Sequence, residues 1–219
     1  MRPAEAVPRH RRGPPLTALA RLRAARAAWL GAAWLRVLLG FAMLPAGMKK
    51  ILGEPFTDPA LSGPFHDFLD AFHATGFFYR FVGAVQLVIA TLLLTQRHAA
   101  LGALMLAPVI TAIGVLCWST GAYPTAAVVT LMTAGTFGLL VFDPPVRPSA
   151  PRPVDLTPWG RAGWALIAFW LVTTALHGGV YRPRGFEPDV PAFWSLPALF
   201  LFPALAWWVE RRQAREPRV

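Results

Sequence analysis

The sequence predicts an all-α fold, a polytopic bundle of transmembrane helices. Three observations carry that expectation. Hydrophobic residues make up 55% of the 219-residue chain and charged residues only 15%, where a soluble domain carries about 25% charged residues. The charges are also badly mixed: no Asp, Glu, Lys or Arg occurs from His98 through Phe142, from Ala162 through Tyr181, or from Val190 through Val209. Crossing the hydrocarbon takes about 20 mostly apolar residues per helix, so the first run is long enough for two spans and the others for one each. Finally, the arginines crowd the ends, seven between Arg2 and Arg26 and four between Arg211 and Arg218.

A formal charge of +10 would ordinarily raise nucleic acid as a partner. Its distribution argues instead for cytoplasmic flanks beside apolar spans, with anionic lipid as counter-charge and no nucleic acid. Cys117 is the single cysteine. It allows no intramolecular disulfide and no paired-thiol redox motif, and its apolar surroundings suit a buried, inert thiol. The preference for Arg over Lys, with abundant Ala and Pro, is a compositional hint of a GC-rich bacterial genome.

The elements follow in order. Residues 1–28 form a basic arm, rich in Arg, Pro and Ala, expected to be disordered and cytoplasmic, its last part a candidate basic surface helix. A cleaved signal peptide is rejected, because Lys49 and Lys50 interrupt the place where a small-residue cleavage site should lie. Six spans are expected: Trp29–Met48, Phe77–Thr95, Ala99–Trp118, Tyr123–Phe142, Ala162–Tyr181 and Ala192–Val209. Pro45, Pro108, Pro197 and Pro203 fall inside them, which membrane helices tolerate when neighbours re-satisfy the freed carbonyls. Between the first two spans, Phe65, Phe68, Leu69 and Phe72 recur at helical spacing, predicting an amphipathic external helix near residues 64–75. "STGAYP", Ser119 to Pro124, makes a tight turn. Residues 144–161 read as a stiff, Pro-rich cytoplasmic linker before the final helix pair at 162–209, and residues 210–219 as a basic cytoplasmic tail. An arrangement with both termini inside leaves only Lys49, Lys50, Arg80, Arg182 and Arg184 outside, which the positive-inside bias favours.

The run "RVLLGFAMLPAGMKK" places Arg36 at the opening of the first span, then Gly40, Phe41, Gly47 and Lys50. "FVGAVQLVIATLLL" follows from Phe81 to Leu94, and "QRHAALGALML" opens the third span. In this order the chain resembles the DoxX-like family of small bacterial integral membrane proteins, over about Trp34 to Asp143. The resemblance implies a four-helix transmembrane unit, to which two further transmembrane helices are appended here. It also implies a membrane partner of redox or sulfur metabolism: an accessory or quinone-contacting subunit in the bacterial inner membrane, with a soluble or membrane oxidoreductase as partner and quinone as the cofactor in question. Gln86 stands where the family commonly carries an intramembrane Glu, which weakens a proton-carrying role at that position. A small-molecule or lipid transporter, and a non-catalytic scaffold, are the alternatives.

Four residues are candidates for ligand contact or ion pairing: Arg36, Lys50, Gln86 and Asp143. Arg36 and Lys50 lie about 21 Å apart along a helix rising about 1.5 Å per residue, too close for both to sit clear of a core about 30 Å thick. Either Arg36 snorkels inward and Lys49 with Lys50 outward, or they face the bundle interior and hold an anionic group or a quinone-like oxygen. In the second case Asp143 is placed to pair with Arg36, and Glu54, Asp67 or Asp70 with Lys50. Gln86 is expected to hold helices together by hydrogen bonding more than to bind ligand. His66, Asp70 and His73, at i, i+4 and i+7, are weak candidates for a metal set. His177, before Gly178 and Gly179, reads as a solvated turn.

Overall fold

The computed structural model describes residues 17–57, 61–145, 152–176 and 191–213, with side chains of 191–196 left aside. Every regular element among them is an α-helix: α1 (Ala18–Ala24), α2 (Arg26–Leu52), α3 (Pro64–Ala74), α4 (Phe77–Leu94), α5 (Ala99–Ser119), α6 (Tyr123–Phe142), α7 (Thr157–Leu176) and α8 (Pro191–Gln213). Four of them, α2, α4, α5 and α6, are long and apolar enough to cross a membrane. Residues 1–16 of the arm, 146–151 of the linker, His177 with its glycines, Arg182, Arg184 and the tail beyond 213 lie outside the described residues.

Helix boundaries depart from expectation where local chemistry adds a start signal. The arm is helical from Ala18, because the Thr17 hydroxyl accepts the N–H of Ala20 and satisfies a donor that a helix start would otherwise leave open. The Pro-rich linker ends earlier than expected, with α7 beginning at Thr157. There the Asp155 carboxylate accepts the Thr157 N–H at 2.9 Å, and Pro158 occupies the first turn, where it costs no hydrogen bond. At the other end of α2, Gly53 adopts φ 74°, and its N–H and that of Glu54 close onto Lys50 O and Lys49 O. Only a residue without Cβ takes that left-handed turn without strain.

The central pair is α2 and α4, antiparallel and in close contact. Gly47 faces Gly83, and Gly40 faces Ala90. A Cβ added to Gly83 would lie 2.6 Å from Lys50 Cβ and 2.9 Å from Gly47 O. Small residues seven apart on each helix thus let the two backbones approach. From this pair the chain continues to α5 beside α4 and α6 beside α5, with Leu35 of α2 resting on Gly135 of α6.

Helices α7 and α8 pair with each other and dock on α2 and α4. Gly163 lies directly against Leu94 O, and a Cβ on Gly160 would meet Thr95 O at 2.7 Å. Trp159 sits edge-on to Trp34 and Trp170 edge-on to Phe41, each pair with ring centroids 5.8 Å apart. Trp159, Leu166 and Trp170 therefore share one buried core with Val37, Leu93 and Leu106. Outside that core, apolar side chains such as Leu104, Val115, Leu131, Phe137 and Val141 face outward. A soluble protein would not normally display so much contiguous apolar surface, and a bilayer would cover it.

Candidate functional site

Helix α2 carries a cation toward each end of the bundle, and the two are held differently. Arg36 is 1% exposed. Its Nη2 donates to Asp143 Oδ2 at 2.7 Å, and its Nη1 donates to Gln96 Oε1 at 3.2 Å. Gln96 is also buried, and its amide donates back to Ala33 O at 3.3 Å. The turn after α4 places it there by taking a left-handed backbone, φ 60°, unusual for a residue other than glycine. Arg152 reaches the same Asp143 oxygen from the far side at 3.3 Å. The Trp29 ring lies beneath both guanidinium groups, at 6.0 Å from Arg36 and 5.1 Å from Arg152. Two arginines thus share one carboxylate over an indole, and the structure brings together the Arg36 and Asp143 that the sequence marked as candidates.

More arginines close the same end. The Arg23 guanidinium donates to Phe142 O at 2.8 Å and Val141 O at 2.6 Å, satisfying carbonyls that the end of α6 leaves open. Arg26 pairs with the buried carboxylate of Glu210, tying the start of α2 to the last turns of α8. The described part of this end holds nine arginines, Arg36 included, against Asp143, Asp155 and Glu210. The described part of the opposite end holds Lys49, Lys50 and Arg80 against Glu54, Asp67 and Asp70.

At that opposite end the Lys50 ammonium donates to Ala46 O at 3.2 Å and lies 4.3 Å from the Phe56 ring centroid and 5.7 Å from that of Tyr79. Lys49 donates to Phe56 O at 3.3 Å. Tyr79 O–H donates to Glu54 O at 2.8 Å, and His73 Nε2 donates to Gly53 O at 3.0 Å. The lid over Lys50 therefore combines Phe56 of the α2–α3 connection with Tyr79 of α4, their rings near the cation, while the carbonyls of the connection accept from Lys49, His73 and Tyr79.

The proposed metal set does not assemble. Among the described residues no three His, Cys, Asp or Glu side chains gather closely enough to hold an ion. Helix α3 turns Leu69, His66 and His73 toward the bundle and leaves Asp70 exposed. Burying apolar and aromatic surface is favourable, whereas burying an unpaired carboxylate is costly, so the histidines turn inward while Asp70 stays at the surface. Gln86 is 2% exposed at the α2–α4 contact; its Nε2 approaches Met43 Sδ at 3.8 Å, and its Oε1 is buried with no partner.

The sequence does not single out Gln96 or the Arg26–Glu210 pair, and it marks Trp29 only as an interface aromatic and Arg152 only as a cytoplasmic charge. Gln96 had a usable signal, a polar side chain at the seam between an apolar span and Arg97. Glu210 had another, being the one carboxylate in the final helix. No family model matches the chain, and no curated protein and no solved structure matches it.

Proposed function

We propose that this chain is a DoxX-like integral membrane protein of the bacterial cytoplasmic membrane, serving as an accessory subunit for a redox partner. In this reading α7 and α8 also cross the bilayer, giving six spans with both termini inside. The concentration of arginines at the end formed by α1, the start of α2 and the close of α8 supports that orientation. The observation that carries the accessory role is the engagement of Arg36 by Asp143 and Gln96. The charge of the first span is spent on joining α2, α4 and α6 into a rigid platform, on which a partner can sit.

The residues present also fit a quinone. Trp170 Nε1 and Thr174 Oγ1 are buried donors without a partner, one turn apart on α7, and donors of this kind suit a quinone carbonyl inside an apolar wall. A bound quinone would supply a two-electron, two-proton carrier; the chain's part would be to orient it and exclude water. A second reading, a small-molecule or lipid transporter, is favoured by Gln86, whose unpartnered Oε1 faces the α2–α4 contact one turn from Lys50 and Gly47.

Purification in mild detergent followed by mass spectrometry of both proteins and small molecules tests these readings. Stoichiometric recovery of an oxidoreductase is the expected result. Recovery of the chain alone, without protein or quinone, would overturn the accessory reading, and a retained solute lost in Gln86→Leu would favour the transporter.

A further inference from the structure

The last turns of α8 carry two tryptophan–arginine pairs in tandem. The Arg211 guanidinium lies 4.3 Å from the Trp207 ring centroid, and that of Arg212 lies 3.7 Å from the Trp208 ring centroid. Each pair is spaced i, i+4, so the side chains stack along one face of the helix. That face points away from the protein. Ala206 and Glu210 on the other side are buried, whereas Trp207 is 36% exposed and Trp208 47%. Below Trp208 the outward stripe continues through the exposed Leu205 and Leu201. Neither arginine forms an ion pair or hydrogen bond among the described residues, so their N–H donors remain directed outward.

The vertical order of this stripe matches the layers of a lipid. The arginines follow their tryptophans by four residues, about 6 Å of helix axis, and fold back onto the rings, so the guanidinium groups stand no more than about 4 Å beyond the indoles. Indoles settle at the boundary of headgroup and acyl chain, which puts the arginines at the depth of the phosphates and Leu205 and Leu201 beside the acyl chains. Stacking on the rings restricts each guanidinium and presents its planar edge, a geometry suited to phosphate oxygens. Among the described residues the surrounding end is strongly positive, whereas the far end is balanced.

We infer that this stripe is a binding site for one anionic phospholipid, its phosphate held by Arg211 and Arg212 and its chains lying along Leu205 and Leu201. The site rests on the reading of α8 as membrane-embedded. Native mass spectrometry of the full-length protein tests it, with phosphatidylglycerol and phosphatidylcholine supplied in equal amounts. The wild type should retain phosphatidylglycerol with a preference on the order of tenfold, as two basic groups at an anionic surface produce. The R211Q/R212Q variant should lose that preference. The R97Q/R161Q variant, which removes the same charge from the same end, should keep it. Equal retention of the two lipids by the wild type, or an equal loss in both variants, would overturn the site. A separate measurement isolates the premise: Leu205→Cys in a Cys117→Ser background should resist a membrane-impermeant maleimide in proteoliposomes. Labelling there would overturn the membrane placement of α8 and the site with it. Protection combined with no lipid preference would overturn the site alone.

Discussion

The two ends of α2 bury cations by different means. At one end Arg36 meets an anion and an amide, with Arg152 and Trp29 completing the cluster. At the other, Lys50 meets aromatic faces and a carbonyl of its own helix. A planar guanidinium offers several fixed donors and can join three helices at once, whereas an ammonium is a compact charge that a ring face and one carbonyl can accommodate. The difference indicates that the Arg36 end is a structural joint between α2, α4 and α6, while the Lys50 end is a lid assembled from a connecting segment and α4.

The sharpest way to break this comparison is to remove the carboxylate. Asp143→Ala leaves Arg36 buried without its anion, and such a loss costs about 3–5 kcal/mol. Thermal unfolding in detergent, followed by tryptophan fluorescence, should show a large drop in midpoint or no folded protein. Arg36→Met should cost less, because Asp143 keeps Arg152 and is partly exposed. Combining the two should recover much of the loss, since an apolar replacement of a buried pair is often near neutral. A double variant as unstable as Asp143→Ala alone would show that Asp143 does something other than neutralise Arg36.

Gln96→Ala removes a hydrogen bond to a charged group and one to Ala33 O, with an expected cost of about 1.5–3 kcal/mol in the same assay. At the lid end, Gly83→Ala forces a Cβ against Lys50 and Gly47 O. The cost of such overpacking is about 1–3 kcal/mol, and Gly138→Ala, where a Cβ meets nothing within 4 Å, is the matched control that should be neutral or stabilising. Lys50→Met keeps the stem and gives up the interaction of the ammonium with the rings and its hydrogen bond to Ala46 O, so the midpoint should shift by no more than about 1–2 kcal/mol allows. If partner recovery nonetheless collapses in Lys50→Met, the lid is a contact surface and not a packing device.

The smallest effect belongs to Asp155. Its hydrogen bonds with Thr157, and then the charge of Arg161, hold its carboxyl below the ordinary carboxylate value. A depressed folded value means that protonation favours the unfolded chain. The stabilisation is therefore complete above the unfolded value of about 3.9 and is lost as pH falls through the folded one. Asp155→Ala should remove that acid dependence and cost about 0.5–1 kcal/mol as a lost helix-start contact, read from melting midpoints across an acid titration.

These experiments divide along the line between what was legible in the sequence and what was not. Arg36 and Asp143 could be matched because Arg36 lies in the first part of one predicted span and Asp143 directly follows another, on the same side, so topology alone restricts the choice. Gln96 could not be, since its role depends on a left-handed residue in a turn, and nothing in the local sequence demands that backbone. The metal set failed for a related reason: spacing places His66, Asp70 and His73 near one another on a helix, but only packing decides which of them turns inward.

By itself, the amino-acid sequence determined that the chain is helical and that its long apolar runs need a bilayer or each other for cover. Those properties are sums over many residues, so they survive uncertainty at any one. The tertiary structure alone decided which polar groups meet inside the bundle and how the last two helices dock. Such contacts depend on the rotation and register of whole helices, set by glycine approaches such as Gly47 on Gly83 and Gly163 on Leu94. A rotation of one helix would replace every partner of that helix without changing a residue.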